Sequence, residues 1–122
     1  MKKHKFKVGD SLWEATQWAV MPVDVTELVD TSDGEPVYIV VEHNGSVDRN
    51  AEVLEQYLFT SKKDALHYAL QINDNDQLLT NSNIRDNVTF LERLQQASQR
   101  MRHLLYEEQI QEYMRNKNEC LS

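Results

Sequence analysis

The sequence predicts an α+β fold, in which a small antiparallel β-barrel or a strongly bent sheet is followed by a short helix and a long amphipathic helix. Residues 5–59 are rich in β-branched and aromatic residues and are interrupted by turn sequences, which is typical of short antiparallel strands. After residue 60, apolar residues recur every three or four positions, which is typical of helices that bury one side. A chain of 122 residues can form one domain with its own hydrophobic core.

Strands are expected where apolar and polar residues alternate or where β-branched residues form a run. Residues 5–8 alternate and predict a first strand, which the Gly9-Asp10 pair ends. Residues 37–41 are continuously apolar and predict a central strand, and the Asn44-Gly45 pair predicts a hairpin turn after it. The other strand segments are expected at 12–16, at 18–30 with an edge or bend at Pro22, and, on weaker evidence, at 47 and 53–54.

A short helix is expected at about residues 61–72. Ser61 and Asp64 resemble a capping box, and apolar residues then recur at helical spacing. The polar run at 73–76 is expected to end this helix and, together with the helix, to close the first unit at residues 5–72. The run does not fit a calcium-binding loop of the EF-hand type, because the required glycine and glutamate are missing.

The long helix is expected at residues 83–115, capped by Asn81, Ser82 or Asn83. Its apolar side is wide and reaches Leu105. Beyond that residue, Ile110 and its apolar neighbours fall on a different side, and residues 116–122 are expected as a frayed tail. The expected apolar side consists of Ile84, Val88, Phe90, Leu91, Leu94, Ala97, Ser98, Met101, Leu104 and Leu105.

The predicted long helix exceeds the predicted barrel in length. A helix of about 23 residues is about 35 Å long, whereas a barrel of about 55 residues is about 20–25 Å across. Part of the apolar side is therefore expected to overhang. Two explanations remain open: a homodimer through residues 84–114, and capture of a foreign helix or groove.

Charge is distributed unevenly along the chain. The net charge is −7, and residues 10–60 carry eleven acidic residues against one basic residue, Arg49. This acidic region disfavours broad contact with nucleic acid and indicates either a solvated surface or one that attracts a basic partner. Nucleic-acid regulation stays an alternative, since basic residues cluster near the N-terminus and on the long helix: Lys2, Lys3, Lys5, Lys7, Arg93, Arg100 and Arg102.

The sequence contains no recognisable catalytic, cofactor or metal motif. None of the three glycines lies in a phosphate-binding loop, the four histidines lack metal-ligand spacing, and Cys120 is the single cysteine. We therefore predict no catalytic residue, no cofactor and no metal; a small enzyme with a dispersed site is the alternative. No apolar run is long enough to span a membrane, and no apolar segment follows the basic start, so a soluble cytoplasmic protein is expected.

Three segments resemble a known group of proteins. Phe6-Lys7-Val8-Gly9-Asp10-Ser11-Leu12-Trp13 resembles the opening strand and turn of SH3-like barrels of the KOW type, and Val37-Tyr38-Ile39-Val40 resembles their middle strand. Leu58-Phe59-Thr60-Ser61-Lys62-Lys63-Asp64-Ala65 resembles the junction that closes such barrels in small uncharacterised phage and mobile-element proteins. The resemblance covers about residues 5–70. It implies an SH3-like antiparallel β-barrel and no particular activity.

Together these observations favour a non-enzymatic adaptor or inhibitor that binds a protein, encoded by a phage or mobile element. Its expected surfaces are the acidic face of the barrel and the apolar side of the long helix. Core packing is the plainer interpretation of four aromatic residues in the β-rich region, and a ligand cage is the alternative; the four are Trp13, Trp18, Tyr38 and Tyr57. The residues expected to contact a partner are Trp13, Trp18, Asp24, Glu27, Tyr38, Leu94, Met101 and Leu105.

Overall fold

A computed structural model describes residues 3–81 and 84–121 and shows an α+β fold, as predicted. Five antiparallel strands form one sheet, and two helices follow. The strands are β1 (Ser11–Ala15), β2 (Val20–Val29), β3 (Val37–Asn44), β4 (Val47–Leu54) and β5 (Leu58–Phe59), with a single 3₁₀ turn at Glu55–Tyr57. The helices are α1 (Lys62–Asn81) and α2 (Ile84–Leu121).

The sheet has the order β4-β3-β2-β1-β5 and is not closed, so β4 and β5 are its edges. Consecutive strands pair from β1 to β4, and β5 returns to pair with β1. A bulge between Val25 and Glu27 bends β2. One face of the sheet curls around a core to which every strand contributes, from Leu12, Val23, Val25, Tyr38, Val40, Val53 and Leu58.

The segment before β1 belongs to this core but forms no strand, so the strand predicted at residues 5–8 is wrong. The backbone N–H groups of this segment donate to side chains and not to a neighbouring strand. The N–H of Phe6 donates to the Tyr38 hydroxyl at 3.1 Å, and the N–H of Lys5 donates to Glu55 at 2.7 Å. The Phe6 ring packs edge-on against Tyr38, and the His4 ring stacks on its other side. Local alternation misleads here because the partners lie 32 and 50 residues away.

The helices pack on the other face of the sheet, next to β1 and β5. Small side chains from both helices allow close approach: Ala65 and Ala69 on α1 and Ala97 on α2 are fully buried. Larger side chains of the sheet, with Trp13, Trp18 and Phe59 among them, fill the space around them. This second core joins the sheet to the helical hairpin.

The first helix continues nine residues past the predicted end at residue 72 and runs through the polar segment 73–76 to Asn81. The reason is the fully buried Asn73. Its amide N–H groups donate to the backbone oxygens of Gln17 and Leu94, both at 2.9 Å, and its carbonyl accepts from Gln77 at 2.6 Å. A residue that favours helix ends in isolation is thus held inside a helix by tertiary hydrogen bonds.

The second helix buries most of its predicted apolar side within the chain, but Val88 and Phe90 are 47% and 40% exposed, and the Ile84 side chain lies outside the described residues. Leu91, Leu94, Ala97, Ser98 and Met101 are buried, and Leu104 and Leu105 are half-buried. The helix also continues to Leu121, so the frayed tail expected from residue 116 is wrong for residues 116–121. Of the three expected caps, Asn81 ends α1, while Ser82 and Asn83 lie outside the described residues.

We expect the Asn73→Ala substitution to lower the free energy of unfolding by about 2–3 kcal/mol, because it leaves the Gln17 carbonyl without this donor and removes three hydrogen bonds. The matched control is Asn75→Ala, which changes an exposed residue of the same helix and should be neutral or slightly stabilising. Urea unfolding followed by circular dichroism measures both. Equal effects of the two substitutions would contradict the anchoring role of Asn73.

We expect the double substitution Leu94→Asp with Met101→Asp to abolish cooperative unfolding, because it places two carboxylates among fully buried side chains. Gln95→Asp with Gln99→Asp adds the same charge at exposed positions of α2 and should leave the fold intact. Circular dichroism and sedimentation measure the outcome. A folded, soluble monomer from the first variant would show that these residues lie between two copies rather than inside one.

Candidate functional site

Two regions of the structure have properties that packing alone does not require: an exposed apolar face near the end of α2, and a cleft beside the end of β1. The first region begins where the exposed side of α2 changes from polar to apolar. Upstream, that side is polar, with exposed Gln95, Gln99 and His103. From residue 106 it becomes apolar. We call this surface the distal helix face; it consists of Tyr106, Ile110, Tyr113 and Met114, each between 43% and 65% exposed.

The distal helix face points away from the rest of the chain. Two ion pairs tie the start of α1 to the opposite side of α2, from Lys62 to Glu108 at 3.6 Å and from Lys63 to Glu112 at 2.8 Å. At about 100° per residue, Ile110 lies almost opposite Glu108 and Glu112. The helix α1 therefore cannot cover this face, and the four apolar side chains contact solvent.

The cleft lies between the end of β1, the last residues of β4 and the middle of α1, and has a volume of about 480 Å³. Its wall includes Thr16 and Gln17 from the turn after β1, Glu52 from β4 and Asp76 from α1. The turn is well fixed. Thr16 Oγ1 accepts from the backbone N–H groups of Trp18 and Ala19, and Asn73 holds the carbonyl of Gln17.

Glu14 lines this cleft and is only 7% exposed. It lies on the inner face of β1, two residues after Leu12, and interacts with Glu42 on β3. Glu42 is also buried and accepts from Arg49 Nε at 3.1 Å and Nη2 at 2.8 Å. Glu14 Oε1 has no hydrogen-bond partner among the described residues. Glu14 is therefore buried beside a second carboxyl group, and its protonation depends on that neighbour.

Burial raises the pKa of Glu14 from its usual value near 4.5 to about 8, and the hydrogen bond and negative charge of Glu42 act in the same direction. The same hydrogen bond, followed by that of Arg49, lowers the pKa of Glu42. At neutral pH a protonated Glu14 thus donates to an ionised Glu42, which Arg49 neutralises. Taking the proton from Glu14 would place two carboxylates side by side in the interior.

The cleft has the chemistry of a binding site rather than of a nucleophilic centre. Its lining includes no serine, cysteine or histidine, and the Thr16 hydroxyl is occupied by the turn. Residues 3–81 and 84–121 also contain no group of three or more histidine, cysteine, aspartate or glutamate side chains that could hold a metal ion. Neither described helix is long and apolar enough to cross a membrane.

A polar cluster lies on the outer face of the sheet. His43 contacts Asp24 at 2.7 Å and Asp48 at 2.9 Å, and the hydrogen bond to Asp48, followed by that to Asp24, raises the pKa of His43. Ser11 donates to Asp24 rather than to His43, so the histidine does not activate a nucleophile. The cluster is exposed and stabilises the strand ends.

The structure distributes the residues expected to contact a partner over three places. Tyr38, Leu94 and Met101 are fully or almost fully buried in the single chain, Tyr38 in the sheet core and Leu94 and Met101 on the side of α2 that faces the rest of the chain, so their contact with a partner stays a prediction.

Trp13, Trp18 and Leu105 are half-buried between sheet and helices. The Lys62 ammonium lies 5.3 Å from the ring centre of Trp13, and Trp18 packs edge-on against Phe90. Of the two acidic residues, Asp24 bonds Ser11 and His43, and Glu27 is exposed on β2. These residues form no single surface.

Sequence reasoning missed Glu14, although a signal exists. Leu12 and Glu14 fall on the same side of a strand by alternation, so a glutamate occupies a position expected to be buried. Such a residue indicates either a buried pair or a site.

Comparisons with known protein families, with characterised proteins and with solved structures found no significant match.

We expect Glu14→Gln to stabilise the protein increasingly as the pH rises. The folded chain holds the Glu14 proton up to about pH 8, whereas the unfolded chain loses it near pH 4.5. Ionisation of Glu14 in the unfolded chain therefore lowers the stability of the wild-type fold across that window. Glutamine keeps a donor for Glu42 and cannot ionise. Near pH 4 the two proteins should be equally stable, and near pH 8 the variant should be more stable by roughly 4 kcal/mol, because each unit of pKa shift corresponds to about 1.4 kcal/mol.

Urea unfolding at several pH values measures this difference, since the other titrating groups are common to both proteins. Glu27→Gln removes an exposed carboxylate from the same sheet and serves as the control. A stability difference for Glu14→Gln that does not change with pH would show that the Glu14 proton is not held by the fold.

Proposed function

We propose that the chain is a non-enzymatic protein-binding module, an adaptor or inhibitor, that contacts its partner through the distal helix face. The observation that carries the proposal is the exposure of Tyr106, Ile110, Tyr113 and Met114 on the side of α2 opposite the helical hairpin. Two tyrosines, an isoleucine and a methionine within nine residues are typical of a helix that docks into an apolar groove. They are not needed for the core, because the opposite side of α2 supplies it.

The charge of the chain indicates the kind of partner. With a net charge of −7, two copies of the chain repel each other, whereas a basic protein is attracted. The residues beside the distal helix face include Glu107, Arg115 and Lys117 as well as Gln109 and Gln111, so the attraction comes from the charge of the whole chain. We therefore favour a basic partner with an apolar groove over a second copy of this chain.

The finer description of the fold is also a proposal. An open barrel of the SH3-like type is supported by the pairing of β1 with both β2 and β5 and by the inner core that reaches every strand. An origin in a phage or mobile element is supported by the junction sequence at residues 58–65. A cytoplasmic location is the one in which a reduced Cys120 is expected.

Regulation of a nucleic acid has less support than protein binding. Several basic side chains of the helices already have acidic partners: Arg102 lies 3.8 Å from Asp74, and Lys62 and Lys63 pair with glutamates of α2. A dispersed enzymatic site also has less support than protein binding, because the Ser11 hydroxyl in the polar cluster around His43 donates to Asp24 and not to the histidine. Both alternatives remain as outcomes of the experiments.

We expect Ile110→Asp with Tyr113→Asp to weaken partner binding at least tenfold while leaving the unfolding free energy within about 0.5 kcal/mol of wild type, because both side chains are largely exposed. The partner is identified by placing a photo-crosslinking amino acid at Tyr113 in the source cells, and binding of the purified pair is then measured by calorimetry.

Gln99 is the matched control position, since it is exposed on the same side of α2 but precedes the apolar residues. A crosslinker at Gln99 should capture nothing, and Gln95→Asp with Gln99→Asp should bind normally. Crosslinking of the Tyr113 position to a second copy of the chain, or to nucleic acid, would contradict the proposal. Equal binding by the two double variants would do so as well.

A further inference from the structure

His43 on β3 connects neighbouring strands on the outer face of the sheet. Its Nε2 lies 2.7 Å from a carboxylate oxygen of Asp24 on β2, and its Nδ1 lies 2.9 Å from a carboxylate oxygen of Asp48 on β4. Asp24 also accepts from the Ser11 hydroxyl on β1 at 2.7 Å. One line of side chains therefore links four adjacent strands of the sheet, with the imidazole ring between β2 and β4.

The two contacts of the ring require two protons. An ionised carboxylate only accepts hydrogen bonds, and a neutral imidazole has a single N–H group, so a neutral ring can donate to one of the two aspartates but not to both. The imidazolium has an N–H group on each nitrogen and a positive charge. Both distances are those of charge-assisted hydrogen bonds, so the geometry at His43 is that of the protonated ring.

The charged groups around the ring favour the same state. They are Asp24 from β2 and Asp48 from β4, whereas β1 contributes the hydroxyl of Ser11, which contacts Asp24. The hydrogen bond to Asp48, followed by that to Asp24, raises the pKa of His43 above its ordinary value of 6.5. The proton of His43 therefore stabilises the fold fully below pH 6.5, and this contribution is lost as the pH rises through the higher pKa of the folded chain.

The next ion pair of the same hairpin keeps its charges over this range of pH. His43 lies opposite Asp48, and the adjacent pair is Glu42 on β3 with Arg49 on β4. Consecutive residues of a strand lie on opposite faces, so this second pair is on the inner side. Arg49 donates to the buried Glu42 at 2.8 and 3.1 Å, and the pKa of that carboxyl is lowered. Loss of the His43 proton therefore acts on the hairpin end, residues 43–48, and leaves the inner pair intact.

We propose that His43 is a pH-dependent clip on the end of the β3–β4 hairpin. With both protons, the ring bridges Asp24 and Asp48 and holds the hairpin end on the sheet. When one proton leaves to solvent, one carboxylate loses its donor. Asp24 keeps the Ser11 hydroxyl, so Asp48 and the turn at residues 44–47 are released. The clip is separate from the distal helix face and does not depend on the proposed function.

The released segment belongs to the wall of a small cavity. Asn44 and Val47, at the two ends of the turn, line a cavity of about 140 Å³, and Met21, Glu42 and Arg49 form the rest of its lining. Release of the turn changes the first two walls, while the Glu42–Arg49 pair stays in place. The protonation of a ring on the outer face thus controls the shape of a surface on the inner side of the hairpin.

The ring nitrogens of His43 report the clip directly. Long-range ¹H–¹⁵N spectra of the full chain distinguish a protonated from an unprotonated ring nitrogen and are recorded from pH 5 to pH 9. We expect the titration midpoint of His43 to lie above 6.5, with both nitrogens protonated below it. Asp48→Asn removes the negative charge and the obligatory acceptor, so it should move the midpoint to lower pH.

Glu52→Gln is the matched control, because it removes an exposed carboxylate from the same strand without touching the ring. It should leave the His43 midpoint unchanged. An equal displacement by Asp48→Asn and Glu52→Gln would show that the net charge of the chain, and not the contact, sets the protonation of His43.

Amide hydrogen exchange measures the release of the hairpin end. After correction for the intrinsic effect of pH on exchange, protection at residues 44–48 should fall roughly twofold or more as the pH rises through the His43 midpoint, while protection at residues 37–41 stays constant. Asp48→Asn should abolish this pH dependence. Glu14→Gln should retain it, although that variant removes the other group that titrates near neutral pH.

Three results would each overturn the clip. The first is a His43 midpoint at or below 6.5, and the second is a midpoint that Asp48→Asn does not lower. The third is protection at residues 44–48 that is independent of pH or that changes in step with residues 37–41.

Discussion

The arrangement of this protein depends on the buried amide of Asn73. Its two donors reach a carbonyl in the turn after β1 and a carbonyl of α2, so one side chain on α1 fixes the sheet, the first helix and the second helix relative to one another. An apolar residue of similar size could fill the space but could not set this register, because dispersion contacts have little directional preference. The cleft follows from the same constraint, since the Asn73 bond to Gln17 holds one wall of the cleft against α1.

Glu14 and Glu42 place two buried carboxyl groups at one end of the inner core of the open sheet. The core is apolar at its centre, with Tyr38, Val40 and Val53, and becomes acidic toward Glu14. Arg49 pairs directly with Glu42 from the surface, but its charge is the weakest of the influences on Glu14, which therefore remains neutral. The two glutamates therefore differ in protonation although they are chemically identical, and burial with the position of one arginine causes the difference.

Sequence patterns predicted those parts of the fold that depend on neighbouring residues. The run at 37–41 and the Asn44-Gly45 turn carry their signals locally, and each is found where expected. The predicted apolar side of α2 is buried at Leu91, Leu94, Ala97 and Met101, but Val88 and Phe90 are exposed. Other errors concern residues whose partners are far away in sequence. The N–H groups of residues 5 and 6 donate to Glu55 and Tyr38 and not to a neighbouring strand, and Asn73 donates to Gln17 and Leu94 from inside a helix. The change of side at Ile110 was visible from periodicity, whereas the pairing of Glu14 with Glu42 needed the fold.

The distal helix face and Glu14 relate to stability in different ways. The distal helix face lies opposite the buried side of α2, so the residues that would bind are not the residues that fold the chain. Glu14 lies at the edge of the inner core and lowers the stability of the folded chain as the pH rises, because the unfolded chain loses this proton at a lower pH than the folded chain does. A substitution on the distal helix face therefore tests binding with little effect on folding, whereas a substitution at Glu14 changes the pH dependence of stability.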